Sequence, residues 1–229
     1  IMLASLADGK SEISGFLEGE DCLATIEVFQ KMGVSIFRQE GKFIVEGKGL
    51  KGLKDPSGAL YFGNSGTSVR LCSGVLAAQE FASSLTGDSS LSSRPMTRIT
   101  EPLGLMGANT STTKQGTLPI QIEPVDSLKS IKYALPVASA QVKSCLLFAG
   151  LYSQGMTEIE ENVTTRDHTE RMFKQFGINL DISQSKNTKI IKLNGVESIS
   201  PANINICGDF SSASFFILAA LITPNSELL

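Results

Sequence analysis

Two arginines and two helix entries are the residues of this 229-residue chain best suited to chemistry. Arg94 stands in the loop Leu91-Ser92-Ser93-Arg94-Pro95-Met96, and Arg166 in Thr164-Thr165-Arg166-Asp167-His168. A guanidinium presents a planar fork of donors that fits a carboxylate or a phosphate. The entries are Gly63-Asn64-Ser65-Gly66-Thr67-Ser68-Val69-Arg70 and Ser139-Ala140-Gln141-Val142-Lys143, each leading into an apolar helical run. Free N–H groups at a helix start point outward, the peptide dipoles favour negative charge there, and glycines let the backbone approach a ligand closely. The chemistry implied is capture of a small anion, with Arg70 about one turn inside the first entry. The GxxxxGK[ST] spacing of a Walker loop is absent.

Each feature also has a plain structural reading. A Gly/Ser-rich entry is a common helix cap. Arg94 can pair with Asp88 or Glu101, Arg166 with Asp167 or Glu170, and Gln141 and Lys143 suit a solvated helix start. What favours the anion is that several such groups recur at one phase of a repeat.

Other chemistries find less support. His168, the only histidine, sits among charged residues at a helix start, an ordinary place for a polar side chain, so a hydroxyl–His–Asp triad is not expected. Asp21, Asp88, Asp167 and Asp209 all precede helices and read as N-caps, which leaves no evident acid–base pair. Cys22, Cys72, Cys145 and Cys207 form no CxxC pair, so no metal site is expected, and reduced thiols fit a cytoplasmic chain with Cys72 and Cys145 in its core. A formal charge of −3 gives no bulk attraction for nucleic acid or anionic lipid. No run approaches the roughly 20 apolar residues of a membrane span. With 41% hydrophobic and 19% charged residues the composition is that of a folded protein of one large or two small domains.

Those side chains are set in an internal repeat. Leu3-Ala4-Ser5, Leu76-Ala77-Ala78, Phe148-Ala149-Gly150 and Leu218-Ala219-Ala220 each close an apolar helical run. Strand-like pieces follow at 11–15, 83–87, 156–160 and 226–229. Second helices are expected near 21–33, 95–107 and 167–177, ending on Gly33, Gly107 and Gly177 as left-handed caps. Alternating strands come next at 34–37, 109–112 and 179–182, then at 42–46, 119–122 and 188–193, with Gly41 and residues 185–187 marking tight turns. The unit is helix–strand–helix–strand–strand, three times over, and a fourth copy begins near Asp209. Residues 75–78, 146–151 and 215–221 are apolar enough for inner helices surrounded by sheets. Residues 1–7 lack a basic leader and read as the back half of a helix whose polar front lies upstream, so a fragment of something larger is expected.

Five segments carry a resemblance. They are the entry Gly63 to Arg70, Ser93-Arg94-Pro95-Met96, Leu135-Pro136-Val137-Ala138-Ser139-Ala140-Gln141-Val142-Lys143-Ser144, Thr165-Arg166-Asp167-His168-Thr169-Glu170 and Gly208-Asp209-Phe210-Ser211-Ser212-Ala213. In order and spacing they resemble the 3-phosphoshikimate 1-carboxyvinyltransferase (5-enolpyruvylshikimate-3-phosphate synthase) family, in its bacterial form. The resemblance implies an α/β (α+β) enolpyruvyl transferase-like inside-out barrel lobe of three βαβαββ-type repeats. Residues 1–206 would be the N-terminal lobe, truncated at its start, and 207–229 the beginning of a second lobe.

The activity implied is transfer of the enolpyruvyl group of phosphoenolpyruvate to the 5-hydroxyl of shikimate 3-phosphate, without cofactor or metal, by a cytoplasmic monomer. By resemblance Arg94, Gly66 and Gln141 meet phosphoenolpyruvate, with Asn64, Thr67 and Arg70 shaping the pocket, and Ser139, Ala140, Gln141 and Arg166 meet shikimate 3-phosphate. Gly66 is the residue type that leaves room for glyphosate. Ala140 stands where some members have serine, which leaves only a backbone N–H there. The family's lysine–serine–arginine segment is expected before Ile1 and its catalytic aspartate and glutamate in the second lobe, so no catalytic residue is assigned within residues 1–229. The competing readings are UDP-N-acetylglucosamine enolpyruvyl transferase, whose reactive cysteine has no counterpart in residues 88–97, and a non-catalytic lobe of the same fold.

Overall fold

Helices that are apolar all round must be shielded on every side, and three of them set the architecture. The computed structural model describes residues 1–185 and 188–228. The first repeat comprises α1 (Met2–Leu6), β1 (Lys10–Ser14), α2 (Glu20–Lys31), β2 (Ser35–Gln39) and β3 (Lys42–Glu46). The second comprises β4 (Leu60–Tyr61), α3 (Gly66–Leu76), β5 (Ser83–Thr86), the short α4 (Ser89–Ser92), α5 (Thr97–Leu105), β6 (Asn109–Ser111) and β7 (Ile120–Glu123). The third comprises β8 (Lys132–Ala134), α6 (Ala140–Gly150), β9 (Met156–Glu161), α7 (His168–Gln175), β10 (Asp181–Gln184) and β11 (Lys189–Asn194). Last come β12 (Ile204–Asn205) and α8 (Phe210–Ile222).

Each repeat builds one four-stranded sheet, in the orders β12-β1-β3-β2, β4-β5-β7-β6 and β8-β9-β11-β10. The outermost strand of each is parallel to its neighbour and the other pairings are antiparallel. Alternation along β7 and β9 puts one sheet face inward. Between the sheets lie α1, α3 and α6, whose residues Leu6, Val69, Cys72, Leu146 and Leu147 are wholly buried. Burial of each such leucine is worth about 1.5–3 kcal/mol. The second helices α2, α5 and α7 bury one face only, led by Phe29, Leu103 and Phe173.

The expected repeat and its glycine stops hold, with Gly33, Gly107 and Gly177 at φ 86°, 88° and 77°. Three expectations change. The helix–strand–helix–strand–strand pattern lacks a strand that the βαβαββ unit of the resemblance contains: each sheet carries a fourth, β4, β8 or β12, of two or three residues, too short for a readable alternation. The third inner helix is α1, whereas Phe215, Phe216, Leu218 and Leu221 of α8 are exposed, Leu221 by 79%, because no other described element packs on them. Residues 226–228 join no strand. Of the turn expected at 185–187, Lys186 and Asn187 lie outside the described residues, as does Leu229.

α3 and α6 lie against each other with almost no space between their backbones. A Cβ on Gly74 of α3 would stand 2.1 Å from the Cys145 carbonyl oxygen of α6. Gly74→Ala is therefore expected to destabilise the fold by about 3 kcal/mol through overpacking. Gly104→Ala, on α5 with open space around it, should instead be neutral or stabilise by up to about 1 kcal/mol. Denaturant unfolding of the two variants measures the contrast.

Candidate functional site

The close approach of α3 and α6 sets their N-termini side by side. Ser65 caps α3, its hydroxyl accepting the Ser68 N–H at 3.2 Å, and Ser139 caps α6 by accepting the Val142 N–H at 3.3 Å. One turn into α3, Arg70 is 8% exposed. Its guanidinium donates to Gln141 Oε1 at 2.8 Å, to the Pro95 carbonyl at 3.1 Å and to the Gly66 carbonyl at 3.4 Å. Its Nε is buried without a partner among the described residues. Burial first, then the charges of Arg98 and Arg94, holds the Arg70 pKa below its usual value.

Gln141 carries the contact onward. With its oxygen turned to Arg70, its Nε2 donates to Thr67 Oγ1 at 3.0 Å. Arg94 donates to Asn64 Oδ1, and Asn64 Nδ2 donates to Asp88 at 2.8 Å. A Cβ on Gly66 would meet the Arg94 and Arg70 guanidinium nitrogens at 2.9 and 3.0 Å. Thr67, Ala140, Gln141 and Arg166 line one hollow of about 150 Å³, together with Leu71, Ser144, His168 and Thr169.

The structure thus joins Asn64, Gly66, Thr67, Arg70, Arg94, Ala140, Gln141 and Arg166 through direct contacts or a shared wall. Ser139 lines an adjoining cleft with Arg98 and Glu101 instead. Three of the four acidic neighbours weighed as partners, all but Glu101, are engaged elsewhere. Asp88 caps α4 by accepting the Leu91 N–H at 2.7 Å, and Asp167 takes Arg171 at 2.9 Å. Glu170 takes Lys143 at 2.8 Å and Lys189 at 3.1 Å. Among the described residues no carboxylate forms an ion pair with Arg70, Arg94 or Arg166.

Two expectations need correction. Lys143 does not face an anion, being wholly buried and paired with Glu161 and Glu170. Asp21 lies inside α2, and Asp167 stands ahead of α7 without a capping bond, so of the four aspartates only Asp88 and Asp209 cap helices with their side chains. Sequence reasoning missed Ser144 and Leu71 in the wall. The signal was available, because they follow Gln141 and Thr67 by three and four residues and so share their helix faces.

Other chemistries are disfavoured by position. Burial pushes the Cys72 and Cys145 thiols far above their usual pKa, so neither is a nucleophile. Among the described residues no His/Cys/Asp/Glu cluster suits a metal, and no helix is long and apolar enough to cross a membrane. A larger hollow of about 740 Å³ opens at the other ends of the inner helices, beside Ala78 and Tyr152. No arginine among the described residues lines it. The arrangement at the helix starts can hold a small molecule with two separate anionic groups, or two small anions side by side.

Comparison with known proteins gives the same direction. The family model of EPSP synthase (3-phosphoshikimate 1-carboxyvinyltransferase) matches residues 1–229. Relatives named 3-phosphoshikimate 1-carboxyvinyltransferase are 54% identical in Vesicomyosocius okutanii and 52% identical in Methylococcus capsulatus, each match covering 100% of this chain. A solved EPSP synthase from Acinetobacter baumannii superposes with a TM-score of 0.88 at 50% identity, covering 97% of this chain and 49% of its own. The chain spans about half the length of the curated relatives it matches, 51% and 52%.

Gly66→Ala should act on the site more than on the fold, because its methyl group meets no backbone. It presses on the guanidinium ends of Arg94 and Arg70 and touches Leu91 at an ordinary 3.8 Å, and Arg94, the less buried of the two arginines, can give way. Stability is expected to stay within about 0.5 kcal/mol of the parent by denaturant titration. A crystal structure of the variant should show the Arg94 guanidinium displaced from Gly66.

Proposed function

The chain belongs to the EPSP synthase family, and on that premise we propose that it forms one lobe of an enolpyruvyl transferase. The reaction adds the 5-hydroxyl of shikimate 3-phosphate across the C2=C3 double bond of phosphoenolpyruvate, its oxygen joining C2 as the hydroxyl proton is lost and C3 gains a proton. Loss of a C3 proton then restores the double bond as the bond from C2 to the phosphate oxygen breaks and phosphate leaves. The observation that carries the reading is the contact chain Arg94–Gly66–Arg70–Gln141–Thr67, ending in a hollow that Arg166 shares.

Arg94, beside Gly66, holds phosphoenolpyruvate in this reading, its planar donors matched to carboxylate and phosphate oxygens. Gln141 reaches both ligands. Arg70 fixes its oxygen, and Thr67 takes one of its two amide hydrogens, which leaves the other for a ligand. The Ala140 N–H at the start of α6 and Arg166 serve shikimate 3-phosphate, and the Ser139 hydroxyl, which accepts the Val142 N–H at the adjoining cleft, keeps its own hydrogen to donate to that ligand. This lobe binds and orients, and the acid and base belong to a second lobe. The same reading puts glyphosate in the space above Gly66. No metal, organic cofactor, nucleic acid or membrane is part of it, and the enzyme acts as a cytoplasmic monomer.

Residues 1–206 are assigned to this lobe and 207–229 to the beginning of the next. Support comes from β12, which completes the first sheet by residue 205, and from the uncovered apolar surface of α8 beyond it. A UDP-N-acetylglucosamine transferase is disfavoured by the family match and by the lack of cysteine in residues 88–97.

Calorimetry on the full-length protein tests the assignment. Shikimate 3-phosphate and phosphoenolpyruvate should bind and UDP-N-acetylglucosamine should not. Arg94→Ala is expected to weaken phosphoenolpyruvate binding by at least about tenfold, the loss of a charge-assisted pair, and shikimate 3-phosphate binding far less. Equal losses for the two ligands would refute these roles. The 229-residue chain by itself should show no turnover, and measurable turnover would refute the division of labour between lobes.

A further inference from the structure

Beneath the hollow four charged side chains are shut away from water together. Lys143 is 0% exposed, Glu161 1%, Glu170 4% and Lys189 7%. Lys143 Nζ lies 3.2 Å from both Glu161 oxygens, 2.8 Å from Glu170 Oε1 and 3.0 Å from the Arg166 carbonyl oxygen. Lys189, opposite Glu161 in the β9–β11 register, lies 3.1 Å from Glu170 Oε1 and 3.8 Å from Glu161 Oε2. Glu161 Oε1 also accepts the Thr165 N–H at 3.3 Å and the Thr165 hydroxyl.

Such a quartet is a poor stability device, because desolvation of four charges offsets most of their attraction and apolar side chains would fill the space as well. It does something apolar residues cannot do. An ammonium has three hydrogens; here two face carboxylates and the third is donated to the main chain at Arg166. Glu161 holds the preceding residue by two further bonds. The backbone of Thr165 and Arg166 is therefore clamped from below, while the Arg166 side chain stays exposed above. Lys143 lies two residues beyond Gln141 on α6, so one turn of helix places Gln141 and anchors the loop that carries Arg166.

We propose that Lys143, with Glu161, is a positioning residue that sets where the Arg166 guanidinium meets the shikimate-side ligand. This rests on the proposed function for the ligand, though not for the clamp. The test uses the full-length protein with Lys143→Met/Glu161→Gln, which keeps the remaining Glu170 and Lys189 charges balanced. Lys143→Met alone would strand a buried carboxylate.

The double variant should unfold cooperatively. Its amides at Thr165 and Arg166 should exchange hydrogen faster than the parent's, and its KM for shikimate 3-phosphate should rise about tenfold, with KM for phosphoenolpyruvate and kcat little changed. A folded variant with unchanged loop exchange overturns the proposal, and so does one whose two KM values stay level or rise together. If the double variant does not fold, Thr165→Val decides, since it removes one bond of the clamp. A rise in KM for shikimate 3-phosphate alone supports the proposal, and no rise overturns it. A parent enzyme that fails to bind shikimate 3-phosphate overturns the proposed function instead, and loop exchange then decides the clamp by itself.

Discussion

Arg70 is a buried cation with no carboxylate beside it among the described residues, and the rest of the site depends on that imbalance. Its partners are an amide and two backbone carbonyls, all dipoles, and its Nε has none. Burial lowers the Arg70 pKa most, and the like charges of Arg98 and Arg94 close by lower it further. A fold bears such a cost only where something offsets it. Carbonyl dipoles do so in part, and an anion arriving at Arg94 and Gln141 would complete the offset. The positive field is therefore a property of the lobe itself.

Charge is handled in the opposite way one turn into the neighbouring helix. Lys143 is as deeply placed as Arg70 but meets two carboxylates, themselves shared with Lys189. Two cations at comparable phases of the repeat thus have different uses. The unpaired one biases the site toward anions, and the paired one ties backbone to backbone. Both depend on the close approach of α3 and α6, which the bare Cα of Gly74 permits.

Much of the architecture was legible because it is written in local signals. Three glycines with positive φ end the second helices, and two of the strands that follow, β7 and β11, alternate over four and six residues. Elements of two or three residues, such as β4 and β12, have no period to read, and only sheet pairing creates them. α8 misled for a related reason: an all-apolar run looks the same whether or not the surface that should cover it is present. At the site, residue types pointed to Arg94, Gln141 and Arg166 because guanidinium and helix-start chemistry are local. They misplaced Lys143, since its partners lie 18 or more residues further along the chain and no spacing rule links them. Ser139 was placed in the right segment, but a helix turns its residues in different directions, and it lines the neighbouring cleft.

The most direct test of the site is a crystal structure of the full-length protein soaked with shikimate 3-phosphate and phosphoenolpyruvate together. Both ligands are expected side by side at the starts of α3 and α6, Arg94 on one, Arg166 on the other and Gln141 touching both. Ligand density at the opposite ends of the inner helices, or density at the helix starts that leaves Arg94 and Arg166 both unengaged, would contradict an anion site built on these two helix entries.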